Sequence, residues 1–491
     1  MKRLSIDELL SGTDISIPKD MYGASFGICT DSEECSGSDI LFITKTSRGE
    51  SRHLSLAGCP AAAIVCEDDD RPDTSSAPIL VTDDARRSLA VAASNLYQID
   101  YEKTKFVGVT GTNGKTTTAT MIRNILTYAG HLCGFIGTGK IKIGELEIQP
   151  QGYTMTTPDP MLLYRSIGAM QEAGCEYIVM EVSSHALMLQ KVAPIRFKIG
   201  LFTNLSGEHM DFHADMEDYY AAKIRLFDQS ECGIFCLDDP YSKRAYEEAK
   251  CEKISVGVIN SADVYATDVQ LMGLDGSHLF YRERDKIFGL KLPYVGAFNV
   301  YNALMAIKCA IRLGVRPCIA KEAISKGTDI DGRMEMIHGD VNVIIDYAHT
   351  PAALENALKV LFSGKITRQK LHVVFGCGGN RDAVKRPLMG IAASRYADDI
   401  ILTEDNSRDE DTSEIIRDIA SGIANGTPYK IIPKRRDAIT EAILSASKGD
   451  IVAIFGKGHE RYIIDKAGMH DFDERAIISE ALELWKLKNE N

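Results

Sequence analysis

No apolar run in these 491 residues approaches the roughly 20 that a bilayer-spanning helix needs, which excludes insertion by such helices. The opening stretch, MKRLSIDELL, turns from basic to acidic and lacks a signal-peptide core, so the chain is read as cytoplasmic. Positive charge is also scarce. Fifty-six Lys and Arg against 69 Asp and Glu leave a formal net charge of −13, which argues against a general nucleic-acid or anionic-membrane binder. The 12 cysteines are scattered singly, and the closest pair, Cys232 and Cys236, has no second pair or flanking histidine. A zinc site is therefore not expected, and all the cysteines are read as reduced thiols, mostly buried. Low-complexity tracts and repeats of solenoid period are absent as well.

What is present is ordinary for a globular chain: 45% hydrophobic and 25% charged residues. Its length calls for about three domains, drawn at 1–100, 101–330 and 331–491. The first mixes short strands (DILFIT, AAAIVC) with turn clusters and ends in a helix, DARRSLAVAASNLYQ. The second alternates apolar strands such as EYIVMEV and KIGLFTNL with helices, closing with NVYNALMAIKCAIRLG. The third repeats strand, polar or glycine-rich loop, helix: NVIIDYAHTPAALENAL, KLHVVFGCGGNRDAVKRPLMGIAA, ADDIILTEDNSRDEDTSEIIRDI and GDIVAIFGKGHERY. An α/β fold with open, mostly parallel sheets follows, and such sheets bind ligands beyond the carboxyl ends of their strands. Asp346, His349, Arg381, Asp405, Asn406, Arg408, Lys457, His459 and Glu460 all fall in those loops.

The sharpest motif is VTGTNGKTTTATMIRNIL, Val109–Leu126. A glycine-rich turn between a strand and a helix leaves backbone N–H groups at a helix N-terminus, where anions bind. Gly111, Thr112, Asn113 and Gly114 form the turn, Lys115 reaches outer phosphates, and Thr116 or Thr117 suits Mg²⁺. Val109 stands where the usual first glycine would be. A kinase, a hydrolase and a ligase could all own such a loop.

Downstream, Glu181 follows the strand YIVM, and FTNLSGEHMDFH sets His209, Asp211 and His213 in a loop. In DMEDYYAAKIRLF the apolar stripe Met216, Tyr219, Tyr220, Leu226 and Phe227 includes Lys223. A lysine there either snorkels to water or is partly buried with a lowered pKa. In the second case its neutral amine reacts with CO₂, and the carbamate formed is an anionic oxygen ligand for Mg²⁺.

The motifs GTNGKTT, TMTTPDP, EVSSHAL, FTNLSGEHMDFH, YYAAKIRLF, GAFNVYNAL, DGRMEMI, DYAHTP, GCGGNRDAVKRPLMG, DNSR and GKGHE resemble, in order and spacing, those of the Mur ligase family over nearly the whole chain. The resemblance implies a nucleotide-sugar-binding N-terminal domain, a central P-loop ATPase-like domain and a Rossmann-like C-terminal domain. It implies a monomeric ATP- and Mg²⁺-dependent ligase of peptidoglycan synthesis, which adds an amino acid to UDP-N-acetylmuramoyl-L-Ala-D-Glu through an acyl phosphate. By the same resemblance, Glu181, His209 and carbamylated Lys223 hold a second Mg²⁺. Asn302, Arg333 and Asp346 complete the ATP site, and Ser32, Met155, Thr156, Thr157, Ser183 and Lys191 meet the nucleotide-sugar dipeptide. Arg381, Asp405, Asn406, Ser407, Arg408, Gly456 and Glu460 receive the amino acid.

Some positions depart from the family pattern. Ser206-Gly207-Glu208-His209 replaces SRDH, and Leu189 and Lys191 replace Gln and Arg. The loop TKTSRGESRH differs from the usual uridine-side loop, and Ser407 replaces the proline of D-N-P-R. An arginine at 408 suits the second carboxylate of meso-diaminopimelate and repels the ammonium of lysine. Diaminopimelate is therefore favoured over lysine or another diamino acid. Folylpolyglutamate synthase and a non-catalytic ATP-binding paralogue are the competing readings.

Overall fold

The computed structural model describes residues 2–45, 56, 58–72, 77–207, 212–327, 330–366 and 368–489. His209 and most of TKTSRGESRH lie outside the described residues. The chain forms two compact units, one of Met1–Val264 with Met305–Ala320, the other of Tyr265–Leu304 with Lys321–Asn491.

The first unit holds two sheets. Its N-terminal sheet runs Leu4–Ser5, Ser25–Cys29, Asp39–Phe42, Ala63–Cys66, Ile79–Val81, parallel except for the first pairing. Its second sheet orders Glu252–Gly257, Ser230–Cys236, Phe197–Phe202, Lys105–Thr110, Tyr177–Glu181 and Cys133–Gly137 in parallel. The antiparallel strands Lys140–Ile143 and Leu146–Glu147 finish one edge. The central strands are buried along almost their whole length, as sheets covered on both faces require. Val109 pairs with Glu181 on one side and Leu201 on the other and is fully buried. An apolar residue suits that position because it is fully buried between two paired strands.

In the second unit the sheet order is Glu335–Ile337, Asn342–Asp346, Ile451–Phe455, Leu371–Phe375, Asp399–Leu402, Tyr429–Ile431, parallel except at the first strand. Pro351 opens the helix Pro351–Gly364, as its fixed φ favours. Two features differ from the sequence reading. After Ile451–Phe455 no helix follows directly; a ribbon of Tyr462–Asp465 and Gly468–Asp471 intervenes before the helix Glu474–Asn489. Val264–Leu271, Ser277–Glu283 and Lys286–Leu292 form an antiparallel meander where alternating strands and helices were expected. Its middle strand alternates buried and exposed positions, the mark of a sheet with one wet face.

The reading of all cysteines as reduced is corrected for one pair: Cys29 and Cys35 are joined as a disulfide, with Cα atoms 5.6 Å apart. The other ten are free, and seven of them are buried. Among the described residues no helix is long and apolar enough to cross a membrane.

Candidate active site

The strand Lys105–Thr110 delivers the phosphate loop, and the helix Lys115–Tyr128 leaves it. Gly111 has φ 141°, and a Cβ there would lie 1.9 Å from Thr203 Oγ1, so no other residue fits. The loop is sewn to the segment after Phe197–Phe202. The N–H groups of Thr112 and Asn113 donate to Asn204 O and Oδ1, both at 2.9 Å, and Thr203 Oγ1 donates to Asn113 O at 2.7 Å. Gly114 caps the helix in the left-handed region, and Thr117 is buried behind it. Lys115 Nζ curls over the loop, donating to Gly111 O at 3.0 Å and Thr112 O at 2.7 Å.

Lys223 points at the same loop. It is 1% exposed, its Nζ donates to Gly111 O at 2.9 Å, and it lies 4.5 Å from the Tyr219 ring centroid. Of the two alternatives for this lysine, the geometry selects burial over snorkelling. Glu181 is fully buried at its strand end. Thr116 Oγ1 donates to Glu181 Oε2 at 3.0 Å, Thr138 N to Oε1 at 3.0 Å, and Thr138 Oγ1 to Oε2 at 3.2 Å. A carboxylate and a hydroxyl beside a phosphate loop are the hard oxygen donors that Mg²⁺ prefers, so this set fits that ion.

The residues expected to meet the nucleotide sugar fall in two places. Around Glu181, Thr156 Oγ1 lies 3.1 Å from Thr138 Oγ1, and Thr157 Oγ1 donates to Glu181 O at 2.9 Å. Ser183 N donates to Thr157 Oγ1 at 3.2 Å, and Met155 is exposed beside them. Lys191 Nζ pairs with Asp159 Oδ1 at 2.7 Å, tying the lysine to the TTPDP turn. Ser32 lies inside the loop closed by Cys29 and Cys35.

In the second unit Asn302 Nδ2 donates to Asn299 Oδ1 at 2.9 Å on the helix Phe298–Arg312. Asp346 accepts from the N–H groups of Met334 at 2.7 Å and Ala348 at 2.8 Å. Burial raises its carboxyl pKa, against the pull of Arg333, whose guanidinium lies 4.3 Å from the Tyr347 ring centroid.

A denser cluster forms where DNSR meets GKGHE. Lys457, fully buried, donates from Nζ to Asn406 Oδ1 at 2.9 Å, with Glu460 Oε2 at 3.4 Å and Asp405 Oδ1 at 3.5 Å. Asn406 Nδ2 donates to Glu460 Oε2 at 2.9 Å. Burial would raise the Asp405 carboxyl, but the Lys457 ammonium and the Arg435 guanidinium outweigh it and hold it below the usual range. For Glu460 burial wins over Lys457, and its pKa is raised. Gly456, with φ 113°, leaves room for Asp405, since a Cβ there would lie 2.5 Å from Asp405 Oδ2. Arg408 Nη1 donates to Gly379 O at 2.8 Å and Asn406 O at 3.3 Å, and Ser407 is buried. Arg381 is exposed on the neighbouring glycine loop.

Sequence reasoning did not single out Thr138, Thr203 or Asn204 as site residues, and it placed Lys457 among the ligand loops without giving it a role. Thr203 and Asn204 directly follow the strand KIGLF, a position that marks ligand loops in parallel sheets. Thr138 follows a strand too, but nothing in GTGKIK marks its hydroxyl as a partner of Glu181.

A phosphate loop at the end of a parallel sheet, a buried carboxylate beside it and a separate cluster of opposite charges at loop ends define a nucleotide-dependent α/β enzyme. The chain belongs to the Mur ligase family. The Mur ligase middle domain matches residues 109–310, and the Mur ligase glutamate ligase domain matches 332–458. The chain is 37% identical over 466 residues to the UDP-N-acetylmuramoyl-L-alanyl-D-glutamate--2,6-diaminopimelate ligase of Syntrophomonas wolfei subsp. wolfei, covering 93% of this chain and 94% of that one. With the ligase of the same name from Aquifex aeolicus, identity is 39% over 463 residues and 93% of each chain. A solved structure of a ligase of that name superposes with a TM-score of 0.68 at 29% identity, over 98% of this chain and 99% of the other.

Proposed function

We propose that this chain joins meso-diaminopimelate to the γ-carboxylate of D-Glu in UDP-N-acetylmuramoyl-L-Ala-D-Glu, using ATP, as a step of peptidoglycan synthesis. The observation that carries it is the cluster at DNSR and GKGHE, together with relatives named for that acceptor. An arginine and a partly buried glutamate suit a ligand end bearing both a carboxylate and an ammonium. Residues 1–100 take the UDP-sugar, 101–330 the ATP and 331–491 the amino acid, and the chain works in the cytoplasm as a monomer.

The γ-carboxylate attacks the terminal phosphorus of ATP and ADP leaves. The acceptor amine then attacks the acyl phosphate, loses a proton, and the tetrahedral adduct expels phosphate. The N–H groups that open the helix, residues 114–117, and the Lys115 ammonium cradle the transferred phosphoryl group. Thr116, Glu181, His209 and carbamylated Lys223 would hold Mg²⁺, which neutralises phosphate charge when bound. Asn302, Arg333 and Asp346 serve the nucleotide, and Ser32, Met155, Thr156, Thr157, Ser183 and Lys191 the dipeptide. Arg408 and Arg381 meet the distal carboxylate of diaminopimelate, Glu460 its ammonium.

Purified protein, supplied with ATP and the UDP-dipeptide, should release phosphate with diaminopimelate well above lysine or ornithine, and mass spectrometry should find the tripeptide. A lysine preference would overturn the acceptor assignment. Phosphate release that needs no UDP-dipeptide would overturn the ligase reading.

A further inference from the structure

Two buried side chains and a part-exposed carboxylate, Asp218, join the turn that carries Ser183 to the helix that carries Lys223. His213, 2% exposed, has Nε2 2.9 Å from Ser184 Oγ and Nδ1 3.1 Å from Asp218 Oδ2. With Asp218 ionised, Nδ1 donates to it, and a neutral ring then leaves Nε2 to accept from the Ser184 hydroxyl. The ring is clamped by Tyr219, with centroids 4.8 Å apart, and by Phe212 edge-on at 4.9 Å.

The order Ser–His–Asp is that of an acyl-transfer nucleophile. Here Ser184 is 2% exposed and its hydroxyl is engaged, so no acyl group can approach it. The line must act by what it connects. At one end Ser184 adjoins Ser183, which is bonded through Thr157 to the Glu181 backbone. At the other, Asp218 precedes Tyr219, whose hydroxyl accepts from Thr112 Oγ1 of the phosphate loop at 3.4 Å. Tyr219 in turn lies under the Lys223 ammonium, one helical turn on.

We propose that His213 is a positioning residue: the Ser184–His213–Asp218 line fixes the dipeptide-binding turn against the Lys223 helix, so that the acceptor carboxylate meets the phosphate loop at set spacing. The proposal rests on the reading of Ser183 as a contact of the UDP-dipeptide. Local fixing of this kind acts on one substrate, whereas a general packing role weakens use of all three.

Ser184→Ala and His213→Asn each cut the Ser184 link, the first by removal of one hydroxyl only, so it remains informative if the histidine variant folds poorly. Each should lower kcat/KM for the UDP-dipeptide about tenfold, the scale of one lost buried hydrogen bond. KM for ATP and for diaminopimelate should stay near wild type. The double variant should be no worse than the worse single, because both break one line. Losses shared equally by all three substrates and tracking a fall in Tm, or additive losses, would overturn the proposal. Ser183→Ala separates the two layers. If it raises the dipeptide KM while the Ser184 and His213 variants are silent, the positioning line alone fails. If it leaves that KM unchanged, the Ser183 contact fails and takes the proposal with it.

Discussion

Lys115 and Lys223 share one acceptor, the carbonyl oxygen of Gly111, at 3.0 and 2.9 Å. Their nitrogens are thus no more than about 6 Å apart, a range at which like charges disfavour each other. Lys223 is the more buried of the two. A neutral amine adds to CO₂, forming an N–C bond and releasing a proton, and the resulting carbamate opposes Lys115 with a negative charge. Mass spectrometry of bicarbonate-supplied protein should find that adduct at Lys223. Lys223→Ala should lose nearly all ligation and regain part of it with a short-chain carboxylate. An unmodified Lys223 in active enzyme would sink the idea.

Lys115→Ala removes charge from the loop without removing its scaffold. The turn is held by backbone and Asn204 bonds, and Lys115 is only half-buried. Phosphate release should fall by about two orders of magnitude or more, the scale of losing one preorganised donor to a transition-state oxyanion. The Tm should stay close to wild type. A variant with normal turnover would remove Lys115 from the phosphate site.

The Lys457 cluster predicts a pH response. Glu460 has a raised pKa, so it takes up a proton above the ordinary glutamate range as pH falls. KM for diaminopimelate should therefore rise on mild acidification before KM for ATP does, and Glu460→Gln should lack that limb. For Asp405 the sign is opposite. Its folded pKa is lowered, so its stabilisation is present above the unfolded value and lost as pH falls through the depressed one. Lys457→Met leaves that carboxylate buried without its nearest cation. It should cost about 3–5 kcal/mol near neutral pH, and acid unfolding should begin at a higher pH. Urea melts across pH check both signs.

Strand-and-loop grammar made much of the fold legible, because buried parallel strands read as continuous apolar runs and their loops carry the polar residues. Lys223 was legible to the same degree: its place in an apolar stripe left burial and snorkelling open, and only the fold aims it at Gly111. The Thr138–Glu181 contact spans 43 residues and two strands, so no local pattern could announce it. The Lys191–Asp159 pair is equally non-local. The meander at 264–292 carried an alternation signal, but its short polar turns resemble those between strand and helix.

Arg408 tests the acceptor assignment most directly. Its backbone sits at φ 52°, unusual for a non-glycine residue, and its N–H donates to Ile464 O at 3.0 Å. Both bonds of its guanidinium to backbone carbonyls use Nη1, which orients the plane and keeps the Nε–Nη2 edge for a bidentate carboxylate. Arg408→Ala should lower kcat/KM for diaminopimelate by the worth of a lost charge-assisted pair, roughly 2–5 kcal/mol where the partner charge stays buried. Arg408→Lys should recover little, since an ammonium lacks the fork. Lysine as acceptor should lose less or gain, because the variant removes a repulsion from its distal ammonium. KM for ATP and for the UDP-dipeptide should barely move. Comparing kcat/KM for both acceptors in wild type and the two variants decides it: a preference that does not shift would remove Arg408 from the acceptor pocket and leave only the general ligase reading.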